Sequence, residues 1–112
     1  GENIFLVRDG ELYTTGLAES ILDGITRQSL ITIAEDLGYT VHDDATISRG
    51  ELYTADELFF TGTAAEVTPI RSVDDNEIGS GTKGPVTDEL QTKFFEVIER
   101  RTDEYEEWFD YL

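Results

Sequence analysis

Leu58-Phe59-Phe60 and Val67-Thr68-Pro69-Ile70 are strand-like apolar runs, and Thr61-Gly62-Thr63-Ala64-Ala65 lies between them. This pair constrains the chain most, because it commits residues 57–61 and 67–73 to neighbouring strands whose faces the rest must cover. A tight turn needs only one or two turn-forming residues. Five small or hydroxyl-bearing residues in succession exceed that need. Small side chains let a ligand approach the main chain closely, and consecutive amides in a turn form a nest for an anion. A wide bulge between the strands accounts for the same residues without a ligand.

Around those two strands the remaining elements follow from local chemistry. Asn3–Val7 is β-rich, Asp9-Gly10 supplies a two-residue turn, and Glu11-Leu12-Tyr13 returns. Leu30, Ile33, Ala34 and Leu37 form one helical stripe, with Thr26 predicted as its N-cap and Gly38 just beyond its end. Tyr39-Thr40-Val41 reads as a strand. Ser48 and Glu51 have capping-box spacing and predict a short helix carrying Leu52 and Ala55. Asp74-Asp75-Asn76-Glu77 reads as a turn, and Gly79, Gly81 and Gly84 as a flexible loop. Pro85 is suited to the entry of a last helix whose core face is Leu90, Phe94, Val97 and Ile98. The tail 103–112, with Tyr105, Trp108, Phe109 and Tyr111, is expected to pack loosely or to belong to an interface. The sum is one mixed α/β domain over 1–112.

Charge narrows the function. Acidic residues number 25 against 8 basic, a net charge of −17, and the only lysines are Lys83 and Lys93. Nucleic acid is an unfavourable partner, because phosphate contacts need clustered Lys and Arg. A hydrophobic share of 38% and an aromatic share of 11% favour a packed core over disorder. A carboxylate-rich, lysine-poor surface suits a cytosol of high salt, where screening shortens self-repulsion; an ordinary acidic protein carries the same signature. No apolar stretch approaches the roughly 20 residues of a membrane span, so the cytoplasm is the expected compartment. Without cysteine there is no disulfide, thiolate metal site or thiol nucleophile. His42, the only histidine, reads as a surface residue in an acidic loop. Asp43-Asp44 and Asp74-Asp75 lack the glycine-punctuated spacing of a calcium loop, so no metal is expected. Arg27 and Arg71 could touch anions or pair with nearby carboxylates.

A second stop, Gly24-Ile25-Thr26, precedes the predicted helix. Amides there would be unpaired donors at the positive end of the helix dipole, and a phosphate would gain bonds from them and from the Thr26 hydroxyl. A plain N-cap reads the same way. Both stops supply donors with no nucleophile or base nearby. That combination suits a site positioning a cofactor that carries its own chemistry.

Four motifs occur in order: Gly1-Glu2-Asn3-Ile4-Phe5, Leu22-Asp23-Gly24-Ile25-Thr26-Arg27, Thr61-Gly62-Thr63-Ala64-Ala65-Glu66-Val67-Thr68-Pro69 and Gly84-Pro85-Val86-Thr87. Over residues 1–100 the chain resembles the C-terminal domain of branched-chain amino acid aminotransferases, pyridoxal-phosphate enzymes of fold type IV, leaving 101–112 outside. The resemblance implies a mixed sheet or barrel with flanking helices, and transfer of an amino group between Leu, Ile or Val and 2-oxoglutarate. It implies that Ile25 and Thr26 hold the cofactor phosphate, with Thr63 as a further anchor. By the same resemblance Leu22 packs against the cofactor ring, and Gly62, Thr63 and Ala64 face the substrate carboxylate. The lysine that bonds the cofactor and the acid that pairs with its ring nitrogen precede the Gly-Glu-Asn motif in the family, so both are expected before residue 1. Neither Lys83 nor Lys93 matches that lysine. The chain is therefore expected to be a fragment, inactive alone, that partners the N-terminal part of its own polypeptide and assembles as a homo-oligomer. Phe94, Phe95, Trp108 and Phe109 are candidates for an apolar seam. The alternatives are a non-catalytic domain derived from such an enzyme, and a D-amino acid aminotransferase or aminodeoxychorismate lyase of the same fold.

Overall fold

The structure, a computed structural model, describes residues 2–16, 21–62 and 67–100. Strand β1 (Glu2–Arg8) turns through Asp9 and Gly10 into β2 (Glu11–Thr14), with Arg8 opposite Glu11. Both turn residues are left-handed, at φ 52° and 76°, which matches the twist of the flanking strands. Helix α1 (Ile21–Asp36) follows, then β3 (Val41–His42) and a short α2 (Arg49–Tyr53). Ser48 caps α2 through the predicted reciprocal box with Glu51. Strands β4 (Glu57–Gly62) and β5 (Val67–Ile70) complete a five-stranded sheet of order β3-β2-β1-β4-β5. Among the described residues only the β2–β3 pairing of this sheet is parallel, so the sheet is mixed, as expected, with β3 and β5 at its edges. A separate hairpin, β6 (Ser72–Val73) and β7 (Asn76–Glu77), precedes α3 (Pro85–Arg100).

Alternation along the strands builds two cores. Phe5, Val7, Leu12, Phe59 and Val67 face α1 and α3, where Leu30, Ile31, Ile33, Ala34, Leu90, Phe94 and Val97 meet them. Leu6 and Leu58 point to the opposite face and are covered by Ala55 and Ile78, with Leu52 and Val73 alongside. Among the described residues no helix is long and apolar enough to cross a membrane.

Several expectations need correction. The strand expected at Tyr39–Val41 is displaced to Val41–His42, because the Tyr39 amide is spent on the Ala34 carbonyl (3.0 Å) in closing α1. Leu37 lies beyond the end of α1 and is 39% exposed, whereas Ile31, outside the predicted stripe, is buried. The strand expected over 67–73 breaks at Arg71, whose carbonyl accepts from the Ile78 amide (2.9 Å). The turn expected over 74–77 shrinks to Asp74 and Asp75, both left-handed, with Asn76 and Glu77 already in β7. Phe94 is a core residue rather than part of a seam, while its neighbour Phe95 is 60% exposed. The Ile98 side chain, Trp108 and Phe109 lie outside the described residues.

Candidate functional site

Four buried polar residues, Asn3, Thr14, Thr26 and Thr61, gather at one end of the main sheet. Register fixes three of them. Asn3 is opposite Thr61 across β1–β4, and Thr14 is opposite Phe5 across β1–β2, so all three share the helix-facing side with Phe5 and Phe59. Thr14 Oγ1 donates to the Ile4 carbonyl (2.8 Å). The fourth arrives on α1, whose Arg27 Nε donates to the carbonyl of Thr15, just past β2 (3.0 Å), while its other arm reaches the Asp43 carbonyl. Through these two main-chain carbonyls Arg27 moors the turn bearing Thr26 to the end of the sheet. Strand β4 ends there as well, with Thr61 and Gly62 leading into the connection 63–66. Thr26 and the start of the second stop, Thr61-Gly62, therefore lie at the same end of the sheet.

The donors at that edge differ from those expected. Helix α1 begins at Ile21, five residues before the predicted cap, so Thr26 lies in its second turn. The amides of Ile25 and Thr26 point along the helix to carbonyls four residues back and are not free donors. The helix already spans Ile21-Leu22-Asp23, and Gly24 within it costs only about 1 kcal/mol relative to Ala. What Thr26 offers is its hydroxyl, in a residue that is 4% exposed. Thr61 Oγ1 is fully buried with no hydrogen-bond partner among the described residues, a state that costs about 1–3 kcal/mol when left unfilled. Thr63 and Ala64 lie outside the described residues, as does the side chain of Leu22. Tested against a phosphate-bearing group, the edge fits through its hydroxyls and the absence of a side chain at Gly62, and not through the amides held by α1.

In the sequence Asn3 and Thr14 do not stand out as buried polar residues, and Thr61 reads as part of the stop over 61–65 rather than as a buried strand residue. The signal was present: a polar residue stands where the alternation Asn3-Phe5-Val7, Leu12-Thr14 or Glu57-Phe59-Thr61 calls for an apolar one.

At the opposite end of β4, Glu57 is 8% exposed and caps α3. Its carboxylate accepts from the amides of Val86 (3.1 Å) and Thr87 (2.7 Å). Pro85, first in the helix, has no amide to satisfy. Gly84 is required by proximity, since a Cβ there would lie 2.2 Å from Glu57 Cδ. The Gly-Pro-Val-Thr stretch is thus a seat for a buried carboxylate. Lys83 bonds to Gln91 (2.8 Å) and pairs with Asp88 (2.9 Å) on the surface. His42 is exposed as expected, although on β3 rather than in a loop; it stacks on Tyr13 and bonds to Glu11 (2.7 Å). Asp74 is committed to Tyr53 and Arg49, contacts that hold its carboxyl below the usual carboxylate range.

The family described as amino-transferase class IV matches residues 1–73. The chain is 48% identical over 108 residues to the branched-chain-amino-acid aminotransferase of Pseudomonas aeruginosa PAO1, covering 96% of this chain and 34% of that protein. With the Escherichia coli K12 enzyme of the same name, identity is 46% over 110 residues, covering 98% and 35%. A crystal structure of the T.th. branched-chain amino acid aminotransferase complexed with N-(5'-phosphopyridoxyl)-L-glutamate superposes with a TM-score of 0.85 at 48% identity, over 96% of this chain and 36% of that one. The chain thus spans about a third of the length of the relatives it matches.

Proposed function

The chain belongs to the class IV aminotransferase family, and on that premise we propose that it forms the part of a branched-chain amino acid aminotransferase that binds the cofactor phosphate and the substrate carboxylate. The observation carrying this reading is that buried Thr26, moored beside the end of β2 through Arg27, and Thr61-Gly62 on β4 lie at the same end of the sheet. The cofactor is pyridoxal 5'-phosphate, the group carried as a glutamate derivative by a structural relative. When bound, it supplies the electron-accepting ring that lets an amino group pass between an amino acid and a 2-oxo acid.

This chain's own residues hold and orient. The Thr26 hydroxyl donates to the phosphate, where a charge-assisted bond is worth about 1.5–3 kcal/mol. Thr63 adds a second hydroxyl. Gly62, Thr63 and Ala64 present small residues and main chain to the substrate carboxylate. Leu22 packs against the cofactor ring. The lysine and ring-pairing acid of the reaction come from sequence before Gly1. Lys83 is engaged with Gln91 and Asp88, and Lys93 sits on α3. In this reading the enzyme is a cytoplasmic homo-oligomer adapted to high salt.

The test is amino transfer from Leu, Ile and Val to 2-oxoglutarate. The complete polypeptide carrying this chain is expected to catalyse it, and the 112-residue chain alone is not. Transfer from D-alanine with none from Leu would replace the substrate assignment; turnover by the chain alone would refute the division of labour.

A further inference from the structure

Among the described residues, helix α3 reaches both strands of the β4–β5 hairpin through long-range polar contacts, at Glu57 on β4 and at Val67 on β5. On β4, Glu57 accepts the Val86 and Thr87 amides at the helix start. On β5, the Val67 carbonyl accepts from Gln91 Nε2 (2.9 Å), one turn further along α3. Val67 pairs with Thr61, so this second contact falls where the strands part into the connection 63–66. Alongside these contacts Leu90 and Phe94 of α3 share one buried cluster with Phe59 and Val67, so the helix is docked by apolar burial as well. Apolar contact is non-directional, whereas directional bonds at two points fix the helix along the strands. Glu57 is held by geometry it cannot easily leave: it is nearly buried, and Gly84 has no side chain to displace it.

We propose that α3 is a splint for this hairpin, with Glu57 and Gln91 as positioning residues that set the strand ends Thr61–Gly62 and Val67 on either side of the proposed anion-binding connection. The functional part rests on the reading given above for Gly62, Thr63 and Ala64; the mechanical part does not. Neither residue touches cofactor or substrate. A helix cap acting only on its own helix would stabilise α3 without governing the strands. The splint instead predicts an effect at the hairpin end, four residues along β4 from Glu57.

The experiment is amide hydrogen exchange on the complete polypeptide without cofactor, followed by equilibrium binding of pyridoxal 5'-phosphate. The variants are Glu57→Gln, Glu57→Ala and Gln91→Ala, with Ser48→Ala as a control that removes a cap from α2. Exchange over 58–62 and 67–70 is expected to rise about tenfold in Glu57→Ala and Gln91→Ala and less in Glu57→Gln, which keeps one acceptor oxygen. Ser48→Ala is expected to leave those amides unchanged. Affinity for the cofactor should fall in the same order. Gln91→Ala keeps the test open should Glu57→Ala fail to fold, since Gln91 is partly exposed. Unchanged exchange at the hairpin in Gln91→Ala and Glu57→Gln would overturn the splint. Loosened exchange with unchanged cofactor affinity would uphold the splint and refute the anion-binding role of the connection instead.

Discussion

The rings of Phe5 and Phe59 lie parallel, 2° apart in plane and 5.1 Å between centroids, bridging β1 and β4 beneath the two long helices. Both are fully buried. Phe59→Ala is therefore expected to cost about 3–5 kcal/mol, and Phe59→Leu markedly less because most of the volume is kept. Urea unfolding followed by circular dichroism measures both. A cost below about 1 kcal/mol for Phe59→Ala would mean the strands do not share this core.

Tyr39 joins the end of α1 to α3 by donating to the Glu89 carboxylate. That bond, with burial second, pushes its pKa from 10.0 up to about 12. The folded state favours the neutral phenol, so the contribution is complete below the ordinary value and is lost as pH rises towards about 12. Tyrosinate absorbance titrated in the parent and in Tyr39→Phe is expected to differ only at this high end. A difference centred at the ordinary tyrosine pKa would show that the contact with Glu89 is not formed in solution.

Net charge sets the response to salt. Among the described residues Arg8, Arg49 and Lys83 pair with Glu51, Asp74 and Asp88, all at least partly exposed and so weak in dilute solution. Most of the 25 carboxylates have no cation to match them, since only 8 exist. Their repulsion is screened beyond about 3 Å in molar salt, against about 30 Å at 0.01 M. Tm is expected to rise between dilute buffer and molar potassium chloride. A flat or falling Tm would remove the case for salt adaptation.

What the sequence disclosed was local. Asp9-Gly10, the Ser48–Glu51 box and the Leu90-Phe94-Val97 face each depend on residues within one or two turns, and each is found where expected. The start of α1 was misplaced because Gly24-Ile25-Thr26 carries a capping signal that Ile21-Leu22-Asp23 does not obey. The cap of α3 was illegible for a different reason: Glu57 precedes Thr87 by thirty residues, and only the sheet brings them together. The buried edge at Asn3, Thr14 and Thr61 likewise depends on strand register. The motif order pointed to the family, and the identities confirm that match.

Grip on a phosphate by hydroxyls at the sheet end that carries Thr26 and Thr61, and by the connection beyond Gly62, underlies the proposed function. It is tested most directly by comparing the affinity of the complete polypeptide for pyridoxal 5'-phosphate and for pyridoxal, in the parent and in Thr26→Val, which keeps the side chain's shape. Thr26→Val is expected to weaken binding of the phosphorylated ligand by roughly tenfold to a hundredfold while leaving pyridoxal binding unchanged. Equal affinity of parent and variant for pyridoxal 5'-phosphate, or an equal loss for both ligands, would contradict it.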